Sequence, residues 1–315
     1  MKFSITIPAY KSHFLNEAVR SVVSQTYPDW ELIIVDDCSP EDLHSIVEPF
    51  LTDNRIQYHR NKQNFGAVNV VDNWNKCLSY CTGDYVICMG DDDRLQSCCL
   101  EEYKKLIEKY PALNVYHTRT EIIDEKGKVI ALQESRPEWE SAISLLWHRW
   151  ADRDLQFMGD FCLWTSFLKG IGGYFKLPLA WGTDDATSFI AAQENGIANT
   201  QVFCFQYRES PYTISRSPAY AKIKIEVQTR QYHWYQKMLE ELSSSHIPDD
   251  DRRYLETIDK ARATYYRKAI GQNCVDYIKG NPLRLAYVYR VLKLFHFPTW
   301  LFLKWYVSSI YHSFK

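Results

Sequence analysis

The sequence predicts an α/β fold, with a mostly parallel central sheet flanked by helices and a helical C-terminal extension. Three observations predict it. Over the first 110 residues, short apolar runs alternate with segments of helical periodicity, the pattern of strand–helix units. The run in "WELIIVDD" is continuous enough in apolar residues to be buried on both faces, as parallel strands are. Beyond about residue 217 the pattern is helical throughout.

The elements follow in order. "FSITIPAY" is a strand that ends at Pro8, and "HFLNEAVRSVVSQT" puts Leu15, Val19, Val22 and Val23 on one helical face. "WELIIVDD" is the second strand and "PEDLHSIVEPFL" a helix. "RIQYHR" is a strand. "AVNVVDNWNKCLSYC" is a helix closed by Thr82–Gly83, "DYVICMG" the next strand, and "LQSCCLEEYKKLIEKY" the next helix. From about residue 112 the pattern changes. "VYHTRTEIIDEKGKVIALQE" is a strand pair turning at Glu125–Gly127, and 138–150 is read as a helix. Thr183 is read as the N-cap of a helix with Asp184 and Asp185 in its first turn, and "TQVFCFQYR" is a further strand. The expected division is a domain over 1–217, with halves of about 1–110 and 111–217, and a helical region over 218–315.

The chain has 315 residues, 46% of them hydrophobic, which suffices for one large domain or a domain with an appendage. A net charge of −2 offers no basic field for nucleic acid. Nine cysteines, an odd number lying mostly in apolar runs and without a Cys-x-x-Cys pair, suit free thiols in a reducing cytosol better than disulfides or zinc. "MKFSITIPAY" lacks the signal-peptide pattern, and no stretch has 18 uninterrupted apolar residues. A cytoplasmic chain is therefore expected.

In an open parallel sheet, ligands bind at the carboxyl ends of the strands. Pro8–Tyr10, Asp36–Asp37 and Asp91–Asp93 all fall at such ends. In "YVICMGDDDRL", three aspartates follow a buried strand, and adjacent carboxylates repel unless something positive sits among them. One aspartate there would be an ordinary turn or cap. Three suit Mg²⁺ or Mn²⁺, which is typically held by one or two carboxylates together with substrate phosphates. "IIVDDCSPE" reads either as another cap or as a carboxylate that accepts hydrogen bonds from a nucleobase or ribose. "AWGTDDATSF" reads either as a favourable helix-dipole contact or as a general base beside a ring surface, Trp181.

Taken together, "SITIPAYK", "NEAVRSVVSQTYPDWELIIVDDCS", "NFGAVNVVDNWNKCLSYCTGDYVICMGDDDRL" and the later "AWGTDD" resemble glycosyltransferase family 2, whose nucleotide-sugar domain has the GT-A (Rossmann-like) fold. The resemblance covers roughly residues 1–215. It implies a metal-dependent, inverting transfer of one sugar from a nucleoside-diphosphate donor to a glycan or lipid-linked acceptor, in bacterial surface polysaccharide assembly. By position, Pro8, Tyr10, Asp37 and Asp91 would contact the donor. Asp92 and Asp93 would hold Mn²⁺ or Mg²⁺, and Asp185 would be the base, with Asp184 next in line. The chain departs from the family in having "GDDD" for the frequent "DSDD" and "NWN" (Asn73–Asn75) for Ala-Arg-Asn, and in lacking Gln-x-x-Arg-Trp after the base, which argues against processive synthesis. Arg208 and Arg216 read as surface charges that a loop could bring to the diphosphate. Residues 283–315 carry Leu, Phe, Trp and Tyr throughout, their charges are all basic (Arg284, Arg290, Lys293, Lys304 and Lys315), and Pro298 divides them. They read either as a peripheral contact with the inner face of the membrane or as helices that pack on the protein or form a homodimer. A nucleotidyltransferase would need a glycine-rich loop that "PAYKSHFLNE" lacks, and a non-catalytic scaffold should have lost Asp92 or Asp185.

Overall fold

The computed structural model describes residues 1–315 except 152–154, 211–216, 244–248, 280, 299, 302, 305–306 and 308–315. The chain divides into two units, Met1–Leu145 with Asp154–Tyr212, and Leu146–Arg153 with Thr213–Lys315. The first unit opens with β1 (Phe3–Ala9), α1 (Leu15–Val23), β2 (Trp30–Asp36), the single turn α2 (His44–Val47), β3 (Ile56–Arg60), α3 (Val70–Tyr80) and β4 (Tyr85–Cys88). It continues with β5 (Arg94–Leu95), α4 (Cys99–Lys109), β6 (Val115–Ile123), β7 (Val129–Leu132), β8 (Trp139–Glu140) and α5 (Ala142–Ala151), whose last turns belong to the second unit. After these come β9 (Phe161–Trp164), α6 (Thr165–Gly170), α7 (Thr183–Ala192) and β10 (Ile197–Arg208).

The sheet has the order β3-β2-β1-β4-β9-β6-β10-β5, with β7 beside β6 and β8 beside β10. β3, β2, β1, β4, β6 and β10 run one way, while β9 and β5 are reversed. The mostly parallel expectation holds, with one feature added: β9 separates the two parallel groups. Phe3, Ile5 and Ile7 of β1 and Leu32, Ile33, Ile34 and Val35 of β2 are fully buried. Each such side chain contributes roughly 1.5–3 kcal/mol of hydrophobic stabilisation. α1 covers this layer with Leu15, Ala18, Val19 and Val22, the i, i+3, i+4, i+7 stripe of an amphipathic helix. Pro8 is tolerated in a central strand because pairing with β4 stops at Thr6–Cys88, and a missing N–H beyond that point costs no bond in that ladder. The β2 carboxylate Glu31 is buried and accepts from Lys2 Nζ (2.7 Å), Ser4 Oγ (2.6 Å), Thr82 N (2.6 Å) and Thr82 Oγ1 (2.7 Å). It thereby fixes the Thr82–Gly83 turn that closes α3.

Three local expectations are corrected. "PEDLHSIVEPFL" makes one α turn followed by a 3₁₀ turn over Glu48–Phe50, because Pro49 cannot continue the α ladder. The helix expected over 138–150 begins at Ala142, since Trp139–Glu140 pairs with Ile197–Ala198 as a short strand. The N-cap position of α7 is Gly182, at φ +81°, while the Thr183 hydroxyl is buried without a hydrogen bond.

The second unit is helical where described, with α8 (Ala221–Ser243), α9 (Asp249–Ile278) and α10 (Leu285–Leu294). α8 and α9 share a core in which Tyr235 packs edge-on against Trp150 (5.0 Å) and Asn273 donates to Gln228 (2.9 Å). α10 buries Leu285, Val288, Val291 and Leu292. Arg216 lies outside the described residues, as does most of the stretch after Lys304. Among the described residues, no helix is long and apolar enough to cross a membrane, and the nine cysteines are free.

Candidate active site

The three aspartates after β4 are buried and differently employed. Asp91 Oδ2 accepts from the backbone N–H groups of Tyr10 and Lys11, both at 2.7 Å, which ties the end of β1 to the end of β4. Its Oδ1 lies 3.3 Å from Lys11 Nζ, and that ammonium also donates to Asp92 Oδ2. The positive charge that three adjacent carboxylates demand is therefore Lys11. Burial by itself would pull the Lys11 pKa down, yet Asp91 and Asp92 outweigh it and hold the ammonium above its ordinary range. Burial pushes the Asp91 carboxyl up, and Lys11 offsets part of that. Asp93 is raised well above the ordinary carboxylate value, first by burial and then by the Asp92 charge.

Arg208, expected on the surface, is wholly buried at the end of β10. Its backbone N–H donates to Asp93 Oδ1 (2.9 Å) and its Nε to the Asp92 carbonyl (2.8 Å). Its Nη1 donates to the carbonyls of Asp124 (3.2 Å) and Glu125 (3.1 Å). Its Nη2 pairs with Glu17 Oε2 on α1 (2.7 Å), and the guanidinium lies over the Phe14 ring at 4.0 Å. A side chain with this many fixed partners holds the aspartate loop and cannot swing to a ligand.

A metal fits the remaining oxygens. A methyl group on Gly90 would lie 3.0 Å from Asp92 Oδ1 and 2.7 Å from Asp93 Oδ2, so both oxygens border the space that only glycine leaves open. Hard carboxylate oxygens suit Mg²⁺ or Mn²⁺, and two suffice when phosphates supply others. Among the described residues no group of three potential ligands surrounds one point.

Asp36 and Asp37 divide the work at the end of β2. Asp36 is internal: it accepts from Ser39 N (2.7 Å) and Tyr58 Oη (2.6 Å) and pairs with Arg60. Asp37 Oδ1 accepts from Asn61 Nδ2 (2.9 Å), and both its oxygens face the Phe65 N–H at 3.1 Å. Cys38 follows at φ +53°, an uncommon angle for a side-chain-bearing residue, which fixes the turn. Asn73, first of "NWN", accepts from the same Asn61 amide (2.9 Å), and Asn75, its last, accepts from Tyr174 N (2.9 Å). α3 therefore holds both the Asp37 loop and the loop leading to α7. Tyr10 is 42% exposed at this rim.

Asp185 is buried in the first turn of α7, in a separate network. With the Gln156 amide nitrogen turned toward it, Gln156 donates to Asp185 Oδ1 (2.7 Å), while the amide oxygen accepts from Arg136 Nη1 and Nη2 (2.8 and 2.9 Å). Leu179 and Ala180, both at positive φ, precede Trp181, so the approach to α7 is a strained turn. Sequence reasoning missed Lys11, Arg136 and Gln156. Lys11 carried a signal, a lone cation directly after a strand whose rim is acidic; the other two carried none.

Residues 4–167 match the family model described as Glycosyl transferase family 2. Over 101 residues the chain is 34% identical to TuaG of Bacillus subtilis, provisionally assigned as a teichuronic acid biosynthesis glycosyltransferase; the match covers 31% of this chain and 39% of that one. The chain spans less than half the length of the curated relatives it matches first. Among solved structures, Staphylococcus aureus TarS 1–349 in complex with UDP-GlcNAc superposes with a TM-score of 0.66 at 16% identity, covering 97% of this chain and 89% of that one. The mannosyltransferase PcManGT from Pyrobaculum calidifontis, in complex with GDP-Man and Mn²⁺, gives 0.54 at 13% identity, covering 98% and 84%. At these identities the structural likeness speaks for the fold alone.

Proposed function

The chain belongs to glycosyl transferase family 2 and has the GT-A fold, and from that premise we propose that it moves one sugar from a nucleoside-diphosphate donor to a hydroxyl of a glycan or lipid-linked acceptor, with inversion, in bacterial surface polysaccharide assembly. The observation that carries this reading is the rim itself: three buried aspartates, with an acid-lined space over Gly90, stand at the carboxyl end of the sheet where nucleotides bind. The polysaccharide assignment draws on the likeness to TuaG.

Tyr10 offers an exposed ring to the nucleobase, with Pro8 behind it in β1, and Asp37 retains lone pairs for base or ribose donors beyond those given to Asn61 and Phe65. Asp91 acts by fixing Tyr10 and Lys11. Asp92 and Asp93 would hold a divalent ion, which as a Lewis acid offsets the charge that builds on the departing diphosphate. Asp185 takes the proton from the acceptor hydroxyl as that oxygen attacks the anomeric carbon and the bond to the diphosphate breaks. One catalytic carboxylate is enough, because the leaving group needs no acid. Exposed Leu283, Leu294, Trp300 and Leu303, with Lys293 and Lys304, support peripheral contact of the C-terminal region with an anionic membrane.

The test is a panel of nucleotide-sugars scored by thermal shift with Mn²⁺. A donor that binds only the folded state at about a hundred times its Kd adds about 2.7 kcal/mol of stability, so its Tm shift is visible. Chelator and Asp92→Ala should each remove the shift with the fold intact. A donor shift indifferent to both would refute the metal-assisted reading.

A further inference from the structure

The acidic cluster carries its own cation, and that cation is built to leave. The backbone of Lys11 is pinned by its N–H to Asp91 Oδ2 (2.7 Å). Its ammonium stands at the other end of a flexible four-carbon stem, 3.3 Å from Asp91 Oδ1 and in contact with Asp92 Oδ2. The Lys11 side chain is 31% exposed, while the carboxylates it pairs with are 5% and 12% exposed. The lysine therefore reaches in from the open side of the site. Arg208, the other cation here, is wholly buried and locked by its own partners. An ammonium in contact with Asp92 and a divalent ion on that carboxylate repel one another, and of the two cations Lys11 is the one free to move.

We propose that Lys11 is an exchangeable counter-ion: it neutralises Asp91 and Asp92 while the site is empty of donor, and it moves to the donor's diphosphate oxygens when a divalent ion takes its place. The inference rests on the proposed donor site and adds a coupling to it. A divalent ion arriving alone must displace Lys11 with nothing to receive it. A diphosphate arriving alone finds the ammonium engaged and carboxylates facing it. Together each removes the other's obstacle, so metal and diphosphate bind cooperatively, and by linkage the enhancement is equal in both directions. No bond is made or broken in the exchange. Direct contact between the metal and the phosphates couples them too, so the share due to Lys11 is the share lost when Lys11 is replaced. A lysine that served only to pin the loop, which the two backbone bonds to Asp91 already pin, would leave Mn²⁺ affinity and the coupling unchanged on its replacement.

The test uses the full chain, Mn²⁺ alone and Mn²⁺ with inorganic pyrophosphate, read by isothermal titration calorimetry. In the wild-type protein, pyrophosphate should raise Mn²⁺ affinity about tenfold or more. In Lys11→Met, Mn²⁺ alone should bind about tenfold more tightly than in wild type, pyrophosphate about tenfold more weakly, and the enhancement should shrink. These opposed changes are not what general loss of structure produces. Mn²⁺ binding to Lys11→Met no tighter than to wild type overturns the proposal. So does a wild-type Mn²⁺ affinity indifferent to pyrophosphate, which needs no variant to fold. If the coupling fails while nucleotide-sugar binding still needs Mn²⁺ and Asp92, the Lys11 exchange is wrong and the donor site stands. If nucleotide-sugars bind without either, the donor-site reading falls too.

Discussion

Replacing Arg208 by methionine tests the reading of this residue as the clamp of the aspartate loop. Methionine keeps much of the apolar stem and removes the guanidinium. The carbonyls of Asp92, Asp124 and Glu125 and the carboxylate of Glu17 then lose donors that stood at 2.7–3.2 Å. Hydrogen bonds to a charged group are worth about 1.5–3 kcal/mol each, and breaking a buried ion pair costs about 3–5 kcal/mol, but such values do not add within one network. Glu17 is half-exposed and regains water, which trims the ion-pair share. A loss of about 4 kcal/mol is expected, or about 8–16 °C in Tm for a domain of this size. The assay is thermal unfolding by circular dichroism, followed by Mn²⁺-dependent donor binding below the transition. That binding should fall about tenfold or more, because the Asp92 carbonyl loses its anchor and only the backbone N–H at position 208 still holds Asp93, and tenfold is about 1.4 kcal/mol. A Tm within about 3 °C of wild type, a shift worth only about 1 kcal/mol, with donor affinity unchanged, would refute the clamp.

Asp185→Asn should keep donor affinity and lose transfer about 10²–10⁴-fold, measured as nucleoside diphosphate release with acceptor present; near-normal turnover would move the base elsewhere, Asp184 first. Gly90→Ala places a methyl 2.7 Å from Asp93 Oδ2 and 3.0 Å from Asp92 Oδ1, so Mn²⁺-dependent donor binding should fall about tenfold by calorimetry with a stability loss of about 1–3 kcal/mol. Burial would raise the Glu31 carboxyl, but the bonds from Lys2, Ser4 and Thr82 outweigh it and bring its pKa from 4.5 to about 2. A depressed carboxylate gives stability that is present above the unfolded value and lost as pH falls through the folded one, here between pH 4.5 and about 2. The amount is about 2 kcal/mol once water screening of the half-exposed Lys2 partner is allowed for. In urea melts, Glu31→Gln should be less stable than wild type at pH 7, and the gap should close across that window; a constant gap counts against the account. The full chain should co-sediment with anionic vesicles at low salt and a chain ending near residue 281 should not; if both stay in solution, the C-terminal region is structural or pairs with a second copy.

β2 and β4 could be read in the sequence because burial on both faces leaves the apolar runs Leu32–Val35 and Tyr85–Cys88, and β1 because Phe3, Ile5 and Ile7 alternate with small Ser4 and Thr6. β5 and β8 are two residues each and have no period to detect, and the four residues of β9 carry no polar alternation that would show it as a reversed strand. At the site, residue types that chemistry demands were legible, and pairings across long chain separations were not. Arg208 resembles a surface charge until Asp93 and Glu17, 115 and 191 residues away, close around it. Lys11 stands in plain view in "PAYK", yet its role depends on carboxylates 80 and 81 residues further on. Gln156 and Arg136 surround Asp185 only because the tertiary fold brings them there.

The segment that leaves β4 does not go to its neighbour in the sheet. It carries Asp91–Asp93 past the positions of β9 and β6 and ends as β5 on the outer side of β10, where Arg94 meets Gln206 and Leu95 meets Phe205. During synthesis, which proceeds from the N-terminus, the aspartates emerge about a hundred residues before the strand that receives β5. The nascent chain therefore already holds the cation that meets their carboxylates, Lys11, and waits for Arg208, whose backbone N–H meets Asp93 and whose guanidinium holds the Asp92 carbonyl. The first parallel group, β3-β2-β1-β4, can form in that interval, but the acidic loop acquires its final shape only when β10 is complete. The rim of the sheet at Asp91–Asp93 is thus among the last parts of the first unit to be set, because the order in which the strands are made leaves it waiting for β10.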